Sequence, residues 1–152
     1  MLGMTTITND TEFKTALLKL TVSQQRHIAA LFVENALSDD ERLQNALAVA
    51  KKSGVTDEEL ADSYKIAKVA CTHSFTQCGK DADWKSQAKH FVAAAAATTL
   101  CVEEQPIKEG NIAWHTAMQV RMAKTCENIA SGQGSENDEA QAQYKIVEAF
   151  LQ

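Results

Sequence analysis

Side chains able to do chemistry occur in this chain, but not at the spacings that chemistry needs. Cys71, His73, Cys78, His90, Cys101, His115 and Cys126 supply thiols and imidazoles that could hold zinc or act as nucleophiles. Structural zinc is normally gripped by cysteine pairs separated by about two to four residues, and no such pair is present. Cysteine is also among the residue types most often buried, and Leu60, Tyr64, Ala67, Cys71, Phe75 and Cys78 follow at helical spacing. Four reduced, metal-free thiols are therefore expected, with no cofactor.

Carboxylates cluster three times, at Asp39-Asp40-Glu41, at Asp57-Glu58-Glu59 with Asp62, and at Glu136 to Glu139. Paired carboxylates could serve a hydrolase or a di-iron bundle. Each cluster, however, falls where a helix is expected to begin, and negative charge there is favoured by the helix dipole at ~0.3–1 kcal/mol per residue. No Glu-x-x-His, the mark of ferritin-like di-iron helices, occurs. Phosphate-binding glycine loops, the G-x-S-x-G elbow and H-E-x-x-H are absent as well. Trp114, His115 and Arg121 remain: an arginine on a largely apolar helix needs a partner, either an inward salt bridge with a carboxylate or a pocket between the fifth and sixth helices.

Seven helices must position these residues, giving an all-α, irregular bundle in a single domain. The first is expected over about 9–20, with Phe13, Ala16, Leu17 and Leu20 on one face. The second follows Ser23 as N-cap and carries Ile28, Leu31 and Phe32. Ser38-Asp39-Asp40-Glu41 reads as a capping box opening a third helix over about 39–53, which Gly54 closes. Thr56-Asp57-Glu58-Glu59 repeats the device for a fourth helix that ends at Gly79. The fifth, about 83–102, contains the run Ala93 to Ala97, apolar all round and fit for a central place; Pro106 lies beyond its end. The sixth, about 111–131, has two apolar faces, Trp114, Met118, Met122 and Cys126 on one and Ala113, Ala117 and Val120 on the other. The seventh, about 137–151, returns Tyr144, Val147 and Leu151 to the core. Residues 1–8 and the small polar stretch 131–136 are expected to be flexible.

Composition agrees with helices. The 152-residue chain has one proline and six glycines, too few breakers for an all-β protein. With 45% hydrophobic and 23% charged residues it is suited to an ordinary core. A net charge of −5 disfavours nucleic acid and anionic membrane surfaces as partners. No apolar run reaches membrane-spanning length, and the first residues lack the basic and apolar regions of a signal peptide, so a cytoplasmic location is expected.

Gln25-Arg26-His27-Ile28-Ala29-Ala30-Leu31, followed by Asp39-Asp40-Glu41-Arg42-Leu43-Gln44-Asn45-Ala46-Leu47, resembles an all-helical family of immunity proteins from bacterial polymorphic-toxin systems. Trp84-Lys85-Ser86-Gln87-Ala88-Lys89 leading into Ala93 to Ala97, then Ile112-Ala113-Trp114-His115, is similar to that family's alanine-rich paired helices. The resemblance spans roughly residues 25–123 and implies a non-enzymatic protein that binds and neutralises a toxin domain. It carries over no binding residues.

The leading expectation is thus a protein-binding bundle whose acidic turns, at Asp39, Asp40, Asp57, Glu58, Glu59 and Asp62, meet a protein partner such as a basic toxin domain. Two alternatives stand beside it. One is an enzyme or small-molecule binder using Trp114, His115 and Arg121; the other is a homo-oligomeric accessory protein with its interface on the seventh helix.

Overall fold

A helix begins where a side chain can serve amides that have no partner in the preceding turn. Asn9 does this for α1 (Asp10–Leu18): its side-chain oxygen accepts the Glu12 N–H at 2.9 Å. For α2 (Val22–Ala36) the exchange is between Thr21 and Gln24. The Thr21 N–H donates to Gln24 Oε1 (2.9 Å) and the Gln24 N–H to Thr21 Oγ1 (3.2 Å). This is the reciprocal capping box with glutamine in place of glutamate, and it displaces the expected cap at Ser23 by two residues. Thr56 and Glu59 form the anticipated box ahead of α4 (Asp57–Asp81), each backbone N–H reaching the other side chain at 3.1 Å. Asn111 caps α6 (Ile112–Ala130) by accepting the Trp114 N–H at 2.8 Å.

These elements come from a computed structural model that describes residues 6–36, 41–52, 54–81, 84–101, 111–132 and 138–151, with the backbone alone over 74–81. The remaining helices are α3 (Glu41–Ala50), α5 (Trp84–Leu100) and α7 (Glu139–Leu151). Among the described residues there are seven helices and no strand. Ser38, Asp39 and Asp40 of the expected box, Pro106 and most of the 131–136 stretch fall outside the described residues. Gly54 and Gly132 both take left-handed φ, 73° and 78°, as helix-terminating glycines do.

Three expectations about the elements change. Helix α4 runs through Gly79 to Asp81; one interior glycine costs only ~1 kcal/mol, too little to stop a long helix. Ile7, placed in a flexible N-terminal stretch, is buried, and its N–H donates to Glu148 Oε2 on α7 at 2.8 Å. Leu151 and Met122, assigned to apolar faces, are 40% and 49% exposed. Of the two faces of α6, only that of Ala113, Ala117 and Val120 is fully covered.

Helices α5 and α6 form the centre. Ala93, Ala95, Ala96 and Ala97 on α5 and Ala113, Ala117 and Ala123 on α6 are buried, and their small side chains let the two backbones come close while neighbours pack on other sides. Around α5 lie α2, α3, α4 and α6; around α6 lie α1, α2, α5 and α7. Larger side chains fill the periphery of the core, with Phe13, Leu17, Ile28, Phe32, Leu47 and Leu100 fully buried. Phe13 joins four helices: its ring lies 5.9 Å from Phe32, 6.0 Å from Trp114 and 5.3 Å from Tyr144.

Candidate functional site

Several polar side chains inside the bundle are spent on backbone groups or on one another. Where α1 ends, α2 and α6 begin and α5 ends, three buried side chains serve backbone groups that the helices leave unpaired. Gln25 Nε2 donates to Leu20 O (3.1 Å), and its Oε1 accepts the Ile112 N–H (3.0 Å). Asn111 Nδ2 donates to Leu17 O at 3.1 Å. Arg26, only 9% exposed, donates from Nε to Thr99 O (3.1 Å) and from Nη2 to Cys101 O (2.9 Å), closing the end of α5. Burial lowers the pKa of this guanidinium, opposed electrostatically by Cys101 and then by Asp57. None of the three side chains was singled out from sequence as a site residue. Their signal was weak, since glutamine and arginine in a first helical turn ordinarily face solvent.

A second polar group joins α1, α6 and α7. Arg121 makes a two-pronged pair with Asp10, Nη1 to Oδ2 at 2.9 Å and Nη2 to Oδ1 at 2.8 Å, and its Nε donates to Gln143 Oε1 at 2.9 Å. Tyr144 donates its hydroxyl to Asp10 Oδ1 at 2.7 Å, and Gln143 Nε2 donates to Ala117 O at 3.0 Å. The Arg121 hydrogen bond is the largest influence holding the Asp10 carboxyl below the ordinary aspartate range, with Tyr144 helping and burial opposing. Arg121 therefore takes a carboxylate partner, one of the two readings its sequence context allowed. The guanidinium also lies over Phe13, 5.3 Å from the ring centroid. Trp114 meets the same ring and is covered by Lys14, whose Nζ is 5.0 Å from its centroid. Trp114 and Arg121 thus share a neighbour on α1, where a pocket between α5 and α6 had been one reading.

His115 lies half-buried on α6, and among the described residues its Nε2 has no hydrogen-bond partner; neither has Oε1 of Gln119 one turn later. Cys71 and His90 come together between α4 and α5, with Nδ1 3.9 Å from Sγ and 3.3 Å from the Cys71 carbonyl. The carbonyl contact suits the Nδ1–H tautomer, in which that nitrogen donates and cannot take the thiol proton. Burial also pushes the Cys71 thiol up, away from the thiolate a nucleophile needs. Cys71, Cys101 and Cys126 are free thiols, and the side chain of Cys78 lies outside the described residues. Among the described residues no group of three or more His, Cys, Asp and Glu is gathered as a metal site.

The acidic turns divide. Asp39 and Asp40 lie outside the described residues. Glu59 is absorbed locally, capping α4 and pairing with Lys52 at 2.6 Å. Its pKa is lowered by the Lys52 hydrogen bond first and by the Thr56 N–H second. Asp57, Glu58 and Asp62 stand exposed on the first turns of α4.

At the start of α7 one carboxylate behaves differently. Glu139 is only 3% exposed, and Asn35 Nδ2 approaches its Oε1 and Oε2 at 3.4 and 3.3 Å. Two effects compete there. A helix N-terminus favours the charge by ~0.3–1 kcal/mol and at most about 2, whereas taking a carboxylate out of water costs several kcal/mol. Burial wins, and the Glu139 pKa is raised despite the opposing help of Asn35, Lys124 and Gln143.

Beside it, an open groove of about 530 Å³ runs between α2 and α7, lined by Leu31, Glu34, Asn35, Ile146, Ala149 and Phe150. No helix among the described residues is long and apolar enough to cross a membrane. No protein-family model, curated protein or solved structure matches this chain.

Proposed function

We propose that this chain is a non-enzymatic protein-binding bundle that neutralises a basic toxin domain, acting in a reducing, cytoplasmic compartment. One contrast supports the reading. Arg26, Gln25, Asn111, Asp10, Arg121, Gln143 and Tyr144 are engaged in holding helices together, while Asp57, Glu58 and Asp62 face solvent at one helix start. Most donors and acceptors of the engaged side chains are taken up by backbone groups and by one another, which accounts for them as structural fastenings. Exposed like charges, by contrast, act at a distance and attract a basic surface before contact. The chain's net charge of −5 adds to that field.

The test is co-expression with a basic toxin domain, sought first in the open reading frame immediately upstream. Restored growth and a stable 1:1 complex on size-exclusion chromatography are the expected results. Unrelieved toxicity together with separate elution of the two proteins would contradict the proposal.

A further inference from the structure

We propose that the groove between α2 and α7 is a binding site for a small amphipathic amine, whose apolar body lies on Leu31, Ile146 and Phe150 and whose ammonium meets Glu34 and Asn35. At about 530 Å³ the groove falls within the ~300–1,000 Å³ usual for small-molecule sites. It also shares their make-up, mostly apolar walls with a few polar atoms that orient the ligand. The site involves none of the carboxylates of α4.

The two polar side chains in the lining decide the chemistry. Asn35 turns its Nδ2 towards both Glu139 oxygens, at 3.4 and 3.3 Å, so the amide atom it has left to offer is Oδ1. Lys51 Nζ meets Glu34 at Oε2, 2.6 Å away, and among the described residues nothing takes Oε1. Adjacent side chains of α2 therefore offer two acceptors, one of them on a carboxylate. A ligand that satisfies both must donate twice, which an ammonium does with N–H groups to spare. A hydroxyl donates once. A carboxylate ligand donates nothing and sets its charge against that of Glu34. Lys51 is no obstacle: its side chain and that of Glu34 are both 33% exposed, and a pair so open to solvent holds weakly enough for an incoming cation to share or displace it.

The apolar walls are already in place. Leu31, Ile146 and Phe150 are half-buried against the core, and the His27 ring meets Phe150 edge-on at 5.4 Å and 74°. Because the groove is open, the ligand keeps part of its surface in water, and selectivity rests more on the ammonium than on enclosure.

The test is a nuclear magnetic resonance titration of the full chain with phenethylamine and, separately, with hydrocinnamate, which has a similar ring and spacer but the opposite charge. Weakly alkaline pH, at which an imidazole ordinarily carries no charge, keeps His27 out of the comparison. Phenethylamine should shift the methyl signals of Leu31 and Ile146 and the ring signals of Phe150 saturably, and bind about tenfold more tightly than hydrocinnamate. Glu34→Gln, which keeps the shape and removes the charge, should abolish that preference while signals outside the groove stay in place. Lys51→Gln, which releases the second carboxylate oxygen, should tighten binding of the amine. Shifts confined to residues away from the groove, absence of saturation, equal binding of amine and acid, a preference that survives Glu34→Gln, or weaker amine binding in Lys51→Gln would each overturn the proposal.

Discussion

Arg26 shows how a single side chain can matter more for what it closes than for what it exposes. Replacing it with methionine keeps the apolar stem but leaves the Thr99 and Cys101 carbonyls without their donors. Each lost charge-assisted bond is worth about 1.5–3 kcal/mol, partly offset because a buried charge is also removed. Arg26→Met should therefore lower stability by about 2–4 kcal/mol, read as a shift in urea midpoint; a change under about 0.5 kcal/mol would show that the bonds contribute nothing net. Asp10 gives a pH-dependent counterpart. Its pKa is depressed, so its contribution is present above the ordinary aspartate value and disappears as pH falls through the depressed one. Because Asp10 is 50% exposed, solvent screens the pair and Asp10→Asn should cost only about 1 kcal/mol at neutral pH. That difference should vanish in strong acid, where both proteins carry a neutral residue. At this scale the sequence was legible in part for Arg121, an arginine on an apolar helix that needed a partner, read as either a carboxylate or a pocket. It was silent on which carboxylate, because Asp10 lies 111 residues away and only the packing of α1 on α6 brings it near.

Helix starts were the most legible elements, since capping is a local exchange between residues three apart. Asn9, Thr56 and Asn111 all act within their own turn. Where the reading slipped, a competing local signal was at hand: Thr21 with Gln24 is as good a box as any containing glutamate, and Ser23 stands inside it. Faces were less legible than starts. Helical periodicity marks a stripe but not how many neighbours will cover it, so Met122 and Leu151 were assigned to a core that does not reach them. Phe13 tests whether α1 is a fixed part of the bundle. It contacts aromatic rings from α2, α6 and α7, and truncation removes all three contacts at once. Phe13→Ala should cost about 3–5 kcal/mol and shift the emission of Trp114, its neighbour at 6.0 Å. A small loss with unchanged emission would mean that α1 docks without this ring.

For the molecule as a whole, the all-α class and the central place of α5 and α6 were readable because alanine-rich helices without breakers have few other uses for so much small apolar surface. What covers the outside was not readable: surface charge obeys capping and solvation before it obeys any partner. Asp57, Glu58 and Asp62 are the residues on which the functional account turns, since they are exposed where Glu59 is already spent on Lys52 and Thr56. The most direct measurement is the association rate of the basic partner with the wild type and with a variant carrying Asp57→Ser, Glu58→Ser and Asp62→Ser, followed across a salt series. The account expects association about tenfold slower at low salt, dissociation nearly unchanged, and convergence of the two proteins as the Debye length falls from ~10 Å at 0.1 M to ~3 Å at 1 M. Equal association rates at every salt concentration would contradict it and leave the acidic turn of α4 with a purely structural role.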